Sequence, residues 1–228
     1  PTKLQAALGG GSTDVDVIVG EPQMLQDFFD AGFFEDLDQA PYNAQDYAGQ
    51  IVDYVWEVGQ DSEGVQRAIS YQITPAGIYY RRDIAQTVFG TDDPVEIGKL
   101  FADYKTVLDT ANKLKEAGYR AFASDGEITY FSGQSAWVVD GELNVDQARY
   151  DYMDLCVELY KQDLTAYAAQ WSTPWYQAMG GAIPVLTAED NAWSEDFETE
   201  TADRETTEVF AYGLPAWGVL TMRDHVEG

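Results

Sequence analysis

The sequence predicts an α/β fold in two lobes joined by crossing strands, and three observations carry that expectation. Ile69 to Gly90 reads as strand, Pro75-Ala76-Gly77 break, strand and helix, because proline fixes φ and glycine frees it. Val209 to Leu220 repeats the strand-break design, with Leu214-Pro215-Ala216-Trp217-Gly218 as its interruption. Asp16-Val17-Ile18-Val19-Gly20 reads as a short buried parallel strand, followed by Glu21 and a helix opened by Pro22. A chain that leaves one lobe by the first crossing and returns by the second would build an N-lobe from 1–74 and 209–228, and a C-lobe from 75–208. Paired crossings make a hinge, and hinged lobes close on ligands.

The elements follow in order. Gly9-Gly10-Gly11-Ser12 reads as a flexible connection, since it lacks the GxGxxG spacing of a phosphate cradle. The Pro22 helix runs through Phe28 and stops at Gly32. A second helix is expected over 44–58, with Ile51, Val52, Val55 and Trp56 as its apolar stripe. After the first crossing, Asp83 stands where an N-cap belongs and Gly90 where the helix should end. The longest helical pattern is 95–117, where Ile97, Leu100, Phe101, Tyr104, Leu108, Ala111 and Leu114 recur at three and four residues before Gly118. Residues 119–124 read as a short strand, and Trp137 to Gly141 closes a loop-rich region. Asn144 is expected to cap a helix to about Lys161, with Met153, Cys156, Val157 and Tyr160 at core spacing. Trp171 to Tyr176 introduces a further helical turn, and 191–207 reads as an acidic surface segment.

Composition narrows the chemistry. The chain has 228 residues, 13 basic and 40 acidic, a formal charge of −27. Such a surface repels nucleic acid and anionic lipid. No run approaches the roughly 20 apolar residues of a membrane helix. Thr91-Asp92-Asp93 and Asp36-Leu37-Asp38 offer oxygen donors, but no full calcium loop of the Asp-x-Asp-x-Asp-Gly type occurs, so no metal or other cofactor is expected. Cys156 is the only cysteine, which rules out an internal disulfide and CxxC chemistry; a buried, inert thiol is expected. His225 is the only histidine, and neither GxSxG, HExxH nor a P-loop is present.

The aromatic residues make up 14% of the chain, and four tryptophans fall at turns or element ends: Trp137, Trp171, Trp175 and Trp217. Packing is the default role of any single tryptophan. An aromatic face is nevertheless partially negative, and the axial C–H groups of a pyranose form a flat, slightly positive apolar patch. Stacking the two leaves the sugar hydroxyls at the rim, where Asp, Glu, Gln, Asn and Arg can bond them. An aromatic, acid-rich cleft therefore suits a neutral carbohydrate.

The stretches DVIVGEPQMLQDFFDAGFFEDLD, SYQITPAGIYYRRDIAQTVFGTDDP, FADYKTVLDTANKLKEAGYRAFAS, WVVDGELNVDQARYDYMDLCVELY, AQWSTPWYQAM and VFAYGLPAWGV carry a resemblance to a known family. The chain resembles the extracellular solute-binding proteins of carbohydrate ABC importers, the maltose-binding-protein-like family 1. The resemblance implies a periplasmic-binding-protein-like fold of two α/β lobes with hinge crossings, here in a partial chain. The family's opening strand-helix unit is expected before Pro1 and further helices after Gly228. It implies a monomer, either an extracellular lipoprotein anchored to the membrane or a periplasmic protein, that delivers its ligand to ABC permease subunits without catalysis. The implied ligand-binding positions are Glu21, Gln23, Gln72, Thr74 and Trp217, with Trp137, Trp171 and Trp175 near the cleft. The alternative is a glycoside hydrolase, which needs two carboxylates roughly 5–9 Å apart; 40 acids supply such a pair by chance. A lectin or adhesin module is the third reading, and the helix-rich pattern argues against it.

Overall fold

The computed structural model describes residues 2–11, 15–73, 76–132 and 135–215. The chain divides into two compact units, with the division between Ile73 and Thr74.

The first unit holds α1 (Thr2–Gly9), α2 (Pro22–Phe29), a 3₁₀ helix (Ala44–Gln50) and α3 (Asp53–Glu57). Pro22 opens α2 where its missing N–H costs nothing, and Leu25 and Phe29 bury its inner face. Gly32 follows at φ 72°, a conformation that favours glycine. The single helix expected over 44–58 is two short ones, because Ile51 and Val52 between them are extended. Trp56 is buried, and its carbonyl accepts from the Gln66 side chain at 3.1 Å. Asp61 organises the next turn: it accepts from the backbone of Glu63 and Val65 and from Arg67 Nε at 2.8 Å. The strand expected at 16–20 does not form. Val17 and Val19 are exposed, and among the described residues these positions pair with no other strand; an isolated strand has no partner for its N–H and C=O groups. Residues 69–73 are likewise irregular and largely exposed rather than a strand.

The second unit opens with β1 (Ala76–Tyr80) and α4 (Arg82–Phe89), ended by Gly90 at φ 76°. Arg81, not Asp83, is the N-cap; Asp83 lies in the first turn, where it suits the helix dipole and accepts twice from Arg81. The long helix expected over 95–117 is interrupted. It comprises α5 (Pro94–Gly98), a 3₁₀ turn (Lys99–Phe101) and α6 (Tyr104–Glu116). The break is chemical: Asp103 and Thr106 form a reciprocal capping box that starts a new helix. Then come β2 (Arg120–Phe122), a kinked 3₁₀ segment (Asp125–Ser132), the hairpin of β3 (Val138–Val139) and β4 (Glu142–Leu143), and α7 (Gln147–Lys161). Asp140 and Gly141 turn the hairpin, both at positive φ, as a tight primed turn requires. Asp146, two residues beyond the expected Asn144, caps α7. The described residues end with α8 (Thr173–Gly180), β5 (Ile183–Pro184), α9 (Phe197–Thr201), β6 (Thr206–Thr207) and β7 (Val209–Pro215).

β7 lies between β1, to which it is antiparallel, and β2, to which it is parallel. Beyond β2 the backbone of 164–168 continues the hydrogen bonding, with Ala166 N donating to Phe122 O and Ala168 N to Ala123 O, both at 2.9 Å. Val209, Phe210, Ala211 and Tyr212 are all buried, because the sheet is covered on both faces. One core joins Phe210 and Phe122 to Ile84, Phe101, Val107, Leu114, Leu155 and Leu159. The other joins Val209 and Tyr212 to Trp175, Met179, Ile183 and Phe197. Residues 209–215, expected within the segment that returns the chain to the first lobe, form the middle strand of this sheet. The reason is register: Tyr79 pairs with Tyr212 and Ala76 with Pro215, so the two expected crossing segments are antiparallel neighbours in one sheet. The remainder of that expected return, 216–228, lies outside the described residues.

On α7 the buried apolar positions are Leu155 and Leu159, not those expected. Met153, Val157 and Tyr160 point to solvent and Cys156 is half-buried. Both sets have helical spacing, so periodicity alone could not choose between them.

Candidate ligand-binding site

Trp171, Trp175, Tyr176 and Tyr212 converge where α8 meets β7. Ser172 precedes α8 and Pro174 sits in its first turn. Trp171 takes φ 68°, a left-handed conformation uncommon for a bulky side chain, and this brings its ring back toward α8. Its centroid lies 4.7 Å from that of Trp175 and 6.3 Å from that of Tyr176. Trp175 meets Tyr176 edge-on at 5.0 Å and Tyr212 edge-on at 6.3 Å. Trp171 and Tyr176 are half-buried, whereas Trp175 is completely enclosed.

A carboxylate lies beneath this cluster. Glu127 is 1% exposed. Its Oε1 accepts from Trp175 Nε1 at 2.7 Å and its Oε2 from the Gly213 backbone N–H at 2.8 Å. Burial pushes its carboxyl up to about 7, against the pull of the donors on Trp175, Gly213 and Gln170. The hydroxyls of Tyr212 and Ser172 are buried with no protein partner. Burial, and then the charge of Glu127, hold the Tyr212 phenol far above its ordinary range. A carboxyl with a raised pKa beside tryptophan has the electrostatics of a general acid. Its geometry opposes that role, because both oxygens are committed to N–H donors and the group is closed off from any substrate.

The structure brings together Trp171 and Trp175 among the expected positions. Trp171 presents partly exposed surface, while the Trp175 ring is enclosed and offers no face for direct stacking. Trp137 is elsewhere in the unit, beside the β3–β4 hairpin, 59% exposed with the Arg149 guanidinium 3.8 Å from its ring centroid. In the first unit, Glu21 is the exposed N-cap residue of α2, and Gln72 is exposed with its carbonyl accepting from Ser70 Oγ at 2.9 Å. Gln23 lies on α2. Thr74, Trp217 and the Gln23 side chain lie outside the described residues. Glu127, Gln170 and Tyr212 were not singled out as site residues by sequence; the signal that could have found them is Gly213, a glycine inside a strand.

The expected oxygen donors serve other ends. Asp92 pairs with Arg82 at 2.6 Å, Asp93 caps α5, and Asp38 accepts from the Gln66 backbone. Among the described residues no group of three metal-ligating side chains occurs. Burial pushes the Cys156 thiol up to about 11, so it is un-ionised and unreactive near neutral pH. A surface cavity of ≈ 490 Å³ opens at the other end of α8, lined by Gln177, Gly181, Phe197, Glu198 and Arg204; its one cation is already paired with Asp190 at 2.7 Å.

Residues 1–215 match the family model for the bacterial extracellular solute-binding proteins. The chain belongs to that family. A crystal structure of an extracellular solute-binding protein of family 1 has the same fold, with a TM-score of 0.72 at 18% identity. The match covers 99% of this chain and 53% of the other, so this solute-binding chain spans about half that protein's length. A comparison with the curated proteins finds no match.

Proposed function

We propose that this solute-binding protein is the capture component of an ABC importer, taking up a sugar or oligosaccharide outside the cytoplasm and handing it to permease subunits. The match of residues 1–215 to the family carries the reading. The carbohydrate class is supported by the Trp171–Trp175–Tyr176 cluster, whose outer member is partly open. In this reading Trp171 and Trp217 stack on pyranose faces, while Glu21, Gln23, Gln72 and Thr74 bond hydroxyls. Trp137 offers a further face, and Trp175 supports Trp171 from below. The protein works as a monomer, as a tethered lipoprotein or in a periplasm, and binds without turnover.

The test is calorimetry against a panel of mono- and oligosaccharides. Saturable binding without product is expected, weakened by about tenfold or more in Trp171→Ala, the loss of one good stacking contact. Unchanged affinity in that variant removes Trp171 from the site, and hydrolysis of an oligosaccharide overturns the receptor reading.

A further inference from the structure

Glu127 has a geometry that packing alone does not require. Each of its carboxylate oxygens accepts an N–H from a different element, the Trp175 indole on α8 and the Gly213 amide on β7, with the Gln170 amide as a further donor. The carboxylate thus ties the inner tryptophan of the aromatic cluster to the middle strand of the sheet. Trp171 leans on that tryptophan at 4.7 Å. Ionised, the carboxylate makes two charge-assisted bonds, about twice as strong as neutral ones. Protonated, one of its oxygens becomes a donor, and whichever oxygen takes the proton faces an N–H.

We propose that Glu127 is a positioning residue that, when ionised, pins Trp175 and with it Trp171 to β7, so that ligand affinity at the aromatic face rises as Glu127 ionises. This rests on the reading of Trp171 as a sugar-stacking face.

The surroundings single out Glu127 as the titrating member. β7 contributes the Tyr212 phenol, with Arg81 and Glu208 acting on that phenol in opposite senses. α8 contributes an indole, which does not titrate, and the segment before it contributes the Gln170 amide. The 3₁₀ segment that carries Glu127 also carries Asp125 and Tyr130. Across it lie Tyr152 and Cys156 of α7, with the Tyr152 hydroxyl donating to Asp125 O at 3.2 Å. Burial keeps Tyr130, Tyr152, Tyr212 and Cys156 protonated near neutral pH. The carboxyl of Glu127, pushed up to about 7, changes charge there.

The experiment is a pH titration of the whole chain, read by near-ultraviolet circular dichroism and by the Trp175 indole N–H resonance. Wild type should show a transition centred near pH 7, absent in Glu127→Gln. In Trp175→Phe the midpoint, followed on a ¹³C-labelled glutamate carboxyl, should move up, because a donor that favours the ionised form is gone. A flat wild-type titration overturns the proposal without any variant, as does a midpoint unmoved in Trp175→Phe. Calorimetry with the sugar that binds tightest supplies the last arm. Affinity should fall about tenfold between the ionised and protonated states if the two equilibria are coupled by one pKa unit. A tryptophan transition near neutrality with pH-independent affinity upholds the pin and overturns its link to the ligand; failure of every sugar to bind, with the transition intact, overturns the carbohydrate reading instead.

Discussion

Gly213 and Glu127 approach so closely that a Cβ at position 213 would lie 1.8 Å from the Glu127 carbonyl oxygen. The same glycine donates its N–H to the Glu127 side chain at 2.8 Å. Close backbone approach and a buried carboxylate bond are therefore one structural feature, and only glycine permits both.

Gly213→Ala should consequently destabilise the second unit by about 3 kcal/mol or more, since the obstacle is backbone and cannot rotate away. Urea unfolding followed by far-ultraviolet circular dichroism measures this. A loss below about 1 kcal/mol would show that β7 and the 125–132 segment can part cheaply.

Glu127 should also give the fold a distinctive pH dependence. Its carboxyl sits at about 7 when folded, against an ordinary 4.5. Between those values the folded state holds a proton that the unfolded state has released. Stability should therefore be greatest, for this group, below pH 4.5 and decline as pH rises to about 7, by on the order of 3 kcal/mol. The difference in unfolding free energy between wild type and Glu127→Gln, measured at pH 5 and pH 8, isolates the contribution. A difference that does not change with pH would contradict it.

Asp190 should behave in the opposite sense. Hydrogen bonds from Arg204 hold its carboxyl far below the usual carboxylate range, helped by the backbone and hydroxyl of Thr187. The stability it contributes is present above the ordinary 3.8 and is lost as pH falls below it. Asp190→Asn should thus lower the melting temperature at neutral pH and narrow that gap at pH 3.

Arg149 holds the loop before α7. It is 5% exposed, donates to Asn144 O at 2.8 Å, to Ser135 O and to Ser135 Oγ, and lies against the Trp137 ring. Arg149→Ala should cost about 1–3 kcal/mol through the carbonyls it leaves unpaired. Lysine should not rescue it, lacking the planar fork. Trp137 fluorescence should shift to the red in both variants.

Phe210 occupies the centre of the larger core, with ring centroids 5.6 Å from Phe89, 6.0 Å from Tyr80 and 6.1 Å from Phe101. Phe210→Ala should cost about 3–5 kcal/mol. Trp171→Ala, half-buried at the edge of its cluster, should cost clearly less, and the comparison separates core from candidate site.

Local chemistry was legible wherever neighbours along the chain make the structure. Pro22 opened its helix, Gly32, Gly90 and Gly118 ended theirs, and Val209 to Tyr212 read as a strand, though not as the buried centre of a sheet. The α/β class and the family resemblance followed from these pieces. Three things were decided by tertiary structure. Asp16 to Gly20 lacks a pairing strand among the described residues, and a strand is a property of two segments. α7 carries apolar residues on both of two opposed faces, and only its packing against the core chose Leu155 and Leu159 over Met153 and Val157. Glu127, in an unremarkable polar segment, became the anchor of the aromatic cluster because folding set it between α8 and β7, 48 and 86 residues away along the chain. Sequence determines what each segment prefers; burial and partners separated by that much chain determine which residue becomes a charge worth moving.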